Sequence, residues 1–206
     1  MKTIIISTLA LTAITFAACN NQQATHEAQH TDSSAAAHHE AASAEKPMAT
    51  IKPQFTDVNP TAAASIKAVV DGYLQLENGL AADDDAAAAK AGKVMSEALA
   101  KFDASSLTPE QQKIYVANKD DLKEHAEHIS KNAGNIAHQR EHFAEMSEDI
   151  YDLVKAFGGG EPLYHIHCPM YDNNKGAWWL SKSAEIKNPY MGAKMPTCGV
   201  VEQLIQ

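Results

Sequence analysis

Side chains able to bind metal are concentrated near the end of the chain. Two cysteines, three methionines and two histidines fall between positions 165 and 198. Thiolate, thioether and imidazole groups together form the ligand set that suits Cu(I). These residues are His165, His167, Cys168, Met170, Met191, Met195 and Cys198. Their chemistry predicts a site for Cu(I) or the similarly soft Ag(I).

Strand geometry ranks these residues as ligands. Residues 163–168 are predicted to form a strand, in which successive side chains point to opposite faces. His165 and His167 then share one face, and Cys168 lies on the other. Pro169 ends the strand and allows Met170 to return beside Cys168. The ranking places Cys168, Met170, Met195 and Cys198 first, His167 next, and Met191 and His165 last.

The two cysteines also allow a second interpretation. A Cys168–Cys198 disulfide would close a loop of about thirty residues and contribute roughly 3–4 kcal/mol in the loop-entropy model. The domain would then be a stapled helical interaction module with no metal role. The nearby methionines favour the metal hypothesis, although methionine also serves as a core filler. Both alternatives stay open.

Four amphipathic segments precede the ligand-rich tail and must position it. Capping residues mark where helices begin, as at Asn59, at the acidic run Asp83–Asp85 and at Thr108. Four helices of about twenty residues with short links predict an up-down-up-down bundle. The predicted fold class is therefore mainly α. It comprises a four-helix bundle over residues 56–158 and a small C-terminal β-hairpin and loop tail over residues 159–206.

The third and fourth helices could also form one rod. Apolar residues keep nearly unbroken heptad spacing through this region, and Gly134 inside a rod would cost about 1 kcal/mol. We favour a turn at residues 132–135, because one long rod would leave apolar surface uncovered. Gly134 suits a left-handed helix end, and Asn135 can cap the next helix.

A second histidine group falls on this predicted hairpin. With a turn near Gly134, His125 comes level with His142, and His128 comes near His138. The helical spacing places the histidines of each helix on one face. They are either solvated edge residues or a Cu(II) or Zn(II) site.

The N-terminus has the pattern of a lipoprotein signal. Lys2 is followed by the apolar residues 3–16 and two alanines, and Cys19 comes directly after them. This predicts a signal peptide over residues 1–18 and lipidation of Cys19, with a membrane anchor in the cell envelope facing the periplasm. An ordinary secretory signal with a chance cysteine is the alternative. Either membrane remains possible.

Residues 19–55 are predicted to be the lipidated cysteine and a disordered tether. The segment is rich in Ala, Gln, Ser, Thr and Glu and lacks apolar periodicity. It also contains His26, His30, His38 and His39. These histidines are either part of a solvated linker or loose collectors of divalent metal.

Composition narrows the function classes. The formal net charge is −9, without a Lys/Arg cluster, which argues against a nucleic-acid partner. The sequence has no haem-attachment motif, P-loop, Gly-x-Ser-x-Gly or His-Glu-x-x-His motif. We therefore expect a binding protein rather than an enzyme.

The C-terminal region resembles a known family. The relevant pieces are Cys168-Pro169-Met170, Gly176 to Ser181, Asn188-Pro189-Tyr190, Met195 and Cys198-Gly199, with Gln139 to Phe143 and Ser147 upstream. They are similar to a domain family of unknown function in envelope lipoproteins, notably of Bacteroidetes-type bacteria. That domain also occurs fused to periplasmic adaptors of copper/silver efflux pumps.

The resemblance spans roughly residues 62–204. It implies a helical bundle with a cysteine-bearing tail in a metal-resistance context, and no established reaction. The resulting expectation is a lipoprotein that sequesters Cu(I) or passes it to an efflux adaptor.

Overall fold

The structure is a computed structural model that describes residues 48–206. The predicted signal peptide, the lipidation site Cys19 and the tether histidines lie outside the described residues. Within residues 48–206, no helix is both long and apolar enough to cross a membrane.

Four long helices form most of the described chain, which confirms the mainly helical prediction. Their N-caps are the predicted ones: the side chains of Asn59, Asp84, Thr108 and Asn135 each accept a bond from a first-turn amide. The helices are α1 (Pro60–Ala81), α2 (Asp85–Lys101), α3 (Pro109–Lys131) and α4 (Ile136–Phe157).

The predicted turn between the third and fourth helices is confirmed. Helix α3 ends at Lys131, and Gly134 has a φ of 89°, which few residues other than glycine adopt easily. The Gly134 amide donates to the Asp85 carboxylate at 2.9 Å, and the Gln139 side chain donates to the Ile129 carbonyl at 3.2 Å. These bonds tie the turn to α2 and close the α3–α4 hairpin.

Consecutive helices pack in series, α1 on α2, α2 on α3 and α3 on α4. Small residues let the first pairs approach closely. A Cβ added at Gly72 would lie 2.9 Å from the Met95 backbone, and one at Gly92 would lie 2.8 Å from the Ala126 carbonyl. These glycines therefore set the distance between neighbouring helices.

A small sheet completes the fold. Its strands are β1 (Ala49–Ile51), β2 (Leu163–Cys168), β3 (Ala177–Ser181) and β4 (Val200–Ile205), in the spatial order β1-β4-β2-β3. The predicted β2–β3 hairpin is present. Strand β4, which pairs antiparallel with β2, was not predicted. Neither was β1, which pairs parallel with β4 and falls in the predicted tether. A three-residue strand is too short to show a period, and a register shift opposite His165 and Ile166 interrupts the regular pairing of β4 with β2.

A buried polar network joins the sheet to the helices. The Tyr73 hydroxyl in α1 bonds the Ser147 hydroxyl in α4 at 2.8 Å and accepts the Leu180 amide of β3 at 3.1 Å. The Tyr190 hydroxyl donates to Ser147 at 3.4 Å. The side chain of Trp179 is fully buried in the same core. The C-terminal residues are therefore packed into the helical core.

Candidate metal centres

The two cysteine sulfurs meet at one end of the sheet. Cys168 ends β2 and is completely buried, whereas Cys198, just before β4, is half-buried. Both are free thiols, and their Sγ atoms are 3.4 Å apart. They are 30 positions apart in the chain, so the tertiary fold creates this pair. At this distance the sulfurs can hold one soft metal ion together or be oxidised to a disulfide.

Asn188 holds the loop that carries Cys198. Its side-chain oxygen accepts the amides of Tyr190 at 2.8 Å and Met191 at 2.9 Å. Its side-chain nitrogen donates to the Cys198 carbonyl, and its own amide donates to the Pro196 carbonyl at 2.9 Å. This buried side chain therefore fixes the Cys198 backbone.

Arg140 of α4 ties the same loop to the helices. Its Nε donates to the Pro189 carbonyl at 2.7 Å, and one terminal nitrogen donates to Asp83 at 2.6 Å. The other Asp83 oxygen accepts the Ala193 amide at 2.8 Å. These bonds lower the pKa of Asp83, first through the Ala193 amide and then through Arg140. The charged pair therefore anchors the loop of Cys198 at the corner between α1 and α2.

The methionines flank the thiols in the chain. The Cys198 amide donates to the Met195 carbonyl at 3.2 Å, and Met195 is half-buried. Met170 follows Cys168 by two residues and is 46% exposed. Burial and the Cys168 sulfur raise the pKa of the Cys198 thiol, while the backbone amide of Met170 lowers it. The structure thus places the backbones of Met170 and Met195 next to the second thiol.

The structure does not bring His167 to the sulfurs. His167 lies on the face of β2 opposite Cys168, with its ring stacked on Trp178 at 4.3 Å between centroids and its Nδ1 3.6 Å from Glu202. Among residues 48–206, neither cysteine belongs to a group of three His, Cys, Asp or Glu ligand atoms within 4.8 Å of one another.

The two residues that were ranked last have other contacts. His165 stacks on Tyr151 at 4.0 Å, and burial lowers its pKa to about 4. Met191 packs against the hydrophobic core. Of the sequence candidates, the two cysteines are therefore the ones whose side chains the structure brings into contact.

The hairpin histidines converge as the helical spacing predicts. His142 Nδ1 is 3.0 Å from His125 Nδ1, and His142 Nε2 is 3.2 Å from His138 Nε2. The rings of His128 and His142 are 4.5 Å apart between centroids. Within residues 48–206, two groups have ligand atoms within 4.8 Å of one another, namely His128, His138 and His142, and His125, His142 and Glu145. Glu145 was not predicted as part of this group, although its position three residues after His142 was an available signal.

Carboxylates surround this histidine cluster. Burial lowers the pKa of His142, as do the neighbouring His128, His138 and His125. A cleft of about 370 Å³ runs from His125 past Glu145 and Asp149 to Trp178. Burial, and then nearby acidic groups, raise the pKa of Asp149 to about 6. The surroundings therefore attract cations, while the cluster itself disfavours protonation of His142.

Comparison with known proteins is limited to one family. Residues 69–161 match the model of a family described as a protein of unknown function (DUF3347). This span covers most of α1 and all of α2, α3 and α4, and it ends before Cys168. It is shorter than the resemblance inferred from sequence, and it contains the hairpin histidines but neither C-terminal cysteine. No curated protein and no solved structure matches the chain. The match supports the prediction that the chain resembles a domain family of unknown function.

Proposed function

We propose that this protein is an envelope lipoprotein that binds Cu(I) or Ag(I) through its C-terminal thiol pair. The observation that carries the proposal is the 3.4 Å separation of two free thiols, Cys168 and Cys198. Met170 and Met195 would complete a soft ligand set. In this proposal an up-down-up-down helical bundle is the scaffold, and the lipid on Cys19 is the anchor.

The burial of the pair suggests how binding would proceed. Cys168 is fully buried, so an incoming ion would first meet the half-buried Cys198 and the exposed Met170. The raised pKa of Cys198 favours its neutral thiol in the metal-free protein. Metal binding would therefore release protons, because the bound ligand is the thiolate. His167 is left out of the ligand set, because it faces the other side of β2.

The role that follows is storage and transfer rather than catalysis. A site of two thiolates with thioethers holds a monovalent ion without a complete rigid cage, which suits exchange with another carrier. We propose sequestration in the envelope or delivery to a metal-efflux adaptor. The acidic chain favours no nucleic-acid partner.

The same sulfur geometry favours one alternative. Oxidation of Cys168 and Cys198 would staple the Asn188 loop to β2 and leave a helical interaction domain with no metal role. In that case the tail would serve only to fix a docking surface. The two functions differ in whether the thiols are free in the envelope.

A thiol count and a Cu(I) competition titration test the proposal. We would use the full chain carrying Cys19→Ser and a Cu(I)-selective chelator. Two free thiols and one tightly bound Cu(I) per chain are expected, and Cys168→Ser or Cys198→Ser should abolish tight binding. Met195→Leu should weaken binding, with Met191→Leu as the matched control that does not.

The contrary results are equally definite. Absence of free thiols in protein isolated without reductant, together with no Cu(I) uptake, would favour the stapled interaction domain. Unchanged Cu(I) affinity in Cys168→Ser, with circular dichroism showing an intact fold, would exclude the thiol site.

A further inference from the structure

We propose that the α3–α4 hairpin carries a second metal site, formed by His128, His138 and His142 and specific for a divalent borderline ion such as Zn(II) or Cu(II). The site would hold the ion with three imidazole nitrogens and leave one position open. It is independent of the thiol pair, since it uses other elements and other ligand chemistry.

The separations of the ring nitrogens suit one ion. A tetrahedral Zn(II) with Zn–N bonds of 2.0–2.1 Å places neighbouring ligand atoms about 3.3 Å apart. His142 Nε2 and His138 Nε2 are 3.2 Å apart, and the ligand atoms of all three histidines lie within 4.8 Å of one another. Small side-chain rotations would therefore assemble the site without moving either helix.

Outer partners already orient two of the rings. His138 Nδ1 lies 3.1 Å from the Glu141 carboxylate, which leaves Nε2 for the metal. His142 Nδ1 contacts His125 Nδ1 at 3.0 Å, again leaving Nε2. Metal-binding histidines characteristically donate their second nitrogen to such a partner, which fixes the tautomer and ring orientation. The contacts made by the second ring nitrogens of His138 and His142 are thus typical of a metal site.

Imidazoles this close gain little from each other without a cation. Each neutral ring supplies one donor and one acceptor nitrogen, so the cluster can share hydrogen bonds, but additional protons would place like charges side by side. A divalent ion instead accepts the lone pairs of all three neutral rings. The nearby carboxylates of Glu141 and Glu145 offset its charge.

The rigid scaffold and the exposure both favour reversible binding. His138 and His142 are one helical turn apart on α4, and His128 approaches from α3, whose register is fixed by the turn at Gly134. The side chains of His128 and His138 are 46% and 36% exposed, so an ion can reach them from solvent. Sites built on helices hold their geometry better than sites on loops.

The test is a Zn²⁺ titration against a chromophoric chelator, using the full chain with Cys19→Ser. Parallel titrations in Cys168→Ser/Cys198→Ser separate this site from the thiol pair. One Zn²⁺ per chain should bind in both backgrounds. His142→Gln and His138→Gln should each lower the affinity at least about 100-fold, and Glu141→Gln about 10-fold, as expected for an outer partner. His167→Gln is the matched control and should change nothing.

A spectroscopic measurement gives a second readout. Cu²⁺ bound to the same chain should show nitrogen hyperfine structure in its electron paramagnetic resonance spectrum, and His138→Gln should reduce the number of coupled nitrogens. Because His138 is partly exposed, that variant should fold normally even if His142→Gln does not. Affinity for Zn²⁺ that survives both histidine substitutions, or that disappears with the cysteine substitutions, would overturn the proposal.

Discussion

The thiol pair and the histidine cluster are built in opposite ways. Cys168 and Cys198 lie 30 positions apart, on a strand end and a loop, and meet in a partly buried position. The histidines lie on two regular helices joined by one turn, and two of them are well exposed. The first arrangement depends on the loop bonds of Asn188, whereas the second depends on helical spacing and one turn.

This difference separates the chemistry that each region can perform. Thiols with thioethers favour a soft monovalent ion, whereas partly exposed imidazoles favour a borderline divalent ion. The two regions should also be disrupted by different substitutions. A change in the C-terminal loop should alter the thiol pair alone, and a change in the hairpin turn should alter the histidine cluster alone.

The largest expected effect is that substitutions in either region weaken or abolish binding of one metal and leave binding of the other unchanged. Cys168→Ser/Cys198→Ser should abolish tight Cu(I) binding and leave Zn²⁺ affinity unchanged. His138→Gln/His142→Gln should lower Zn²⁺ affinity at least about 100-fold and leave Cu(I) affinity unchanged. Competition titrations of both ions on both variants measure this, and loss of both ions in either variant would mean that the two regions form one site.

Low pH should destabilise the folded protein through protonation of His165 in the sheet. Its folded-state pKa is about 4, below its ordinary value of 6.5, because burial disfavours the charged ring. The folded state therefore keeps its full stability above pH 6.5, and the free energy of unfolding falls as the pH drops from 6.5 toward 4. The full effect is on the order of 3 kcal/mol. Urea unfolding of the chain and of His165→Phe at pH 7 and pH 4 should show a flatter pH dependence in the variant, and identical profiles would exclude this role for His165.

Asn188→Ala should destabilise the loop of Cys198. The substitution leaves the buried amides of Tyr190 and Met191 without their acceptor, at a cost of about 2 kcal/mol. Cu(I) affinity should fall with it, whereas Zn²⁺ affinity should not. Chemical unfolding and the two titrations test this, with the exposed Glu185→Ala as control. An unchanged Cu(I) affinity would show that the thiol pair does not need this loop.

Gly134→Ala should have the smallest effect. The added Cβ meets nothing within 4 Å, so the cost comes from the positive φ and should be about 1 kcal/mol. Gly134→Asn should recover part of it, because asparagine tolerates this conformation. Thermal unfolding measures the loss of stability in both variants. A larger loss for Gly134→Ala than for Gly134→Pro would contradict the explanation.

Local patterns in the sequence determined the helices and the histidine hairpin. The caps at Asn59, Asp84 and Thr108 act on neighbouring amides, so residue type and spacing were sufficient to place helix starts. The same reasoning placed His125 level with His142, since helical geometry and one turn fix that register. Residues 163–168 were predicted to form a strand, again from a local pattern, and they do so.

Only the tertiary structure decided the rest. Residue types marked the cysteines as candidate ligands, but the meeting of their sulfurs could not be predicted. That contact depends on the bonds of Asn188, Arg140 and Asp83, which hold the loop in place. The position of β1 beside β4 could not be predicted either, since parallel pairing joins distant segments through backbone bonds that leave no side-chain period. Strand alternation had already placed His167 on the face opposite Cys168, and only the tertiary structure showed that its ring stacks on Trp178 there. Local periodicity therefore determined the elements, and long-range packing determined which ligand side chains share a site.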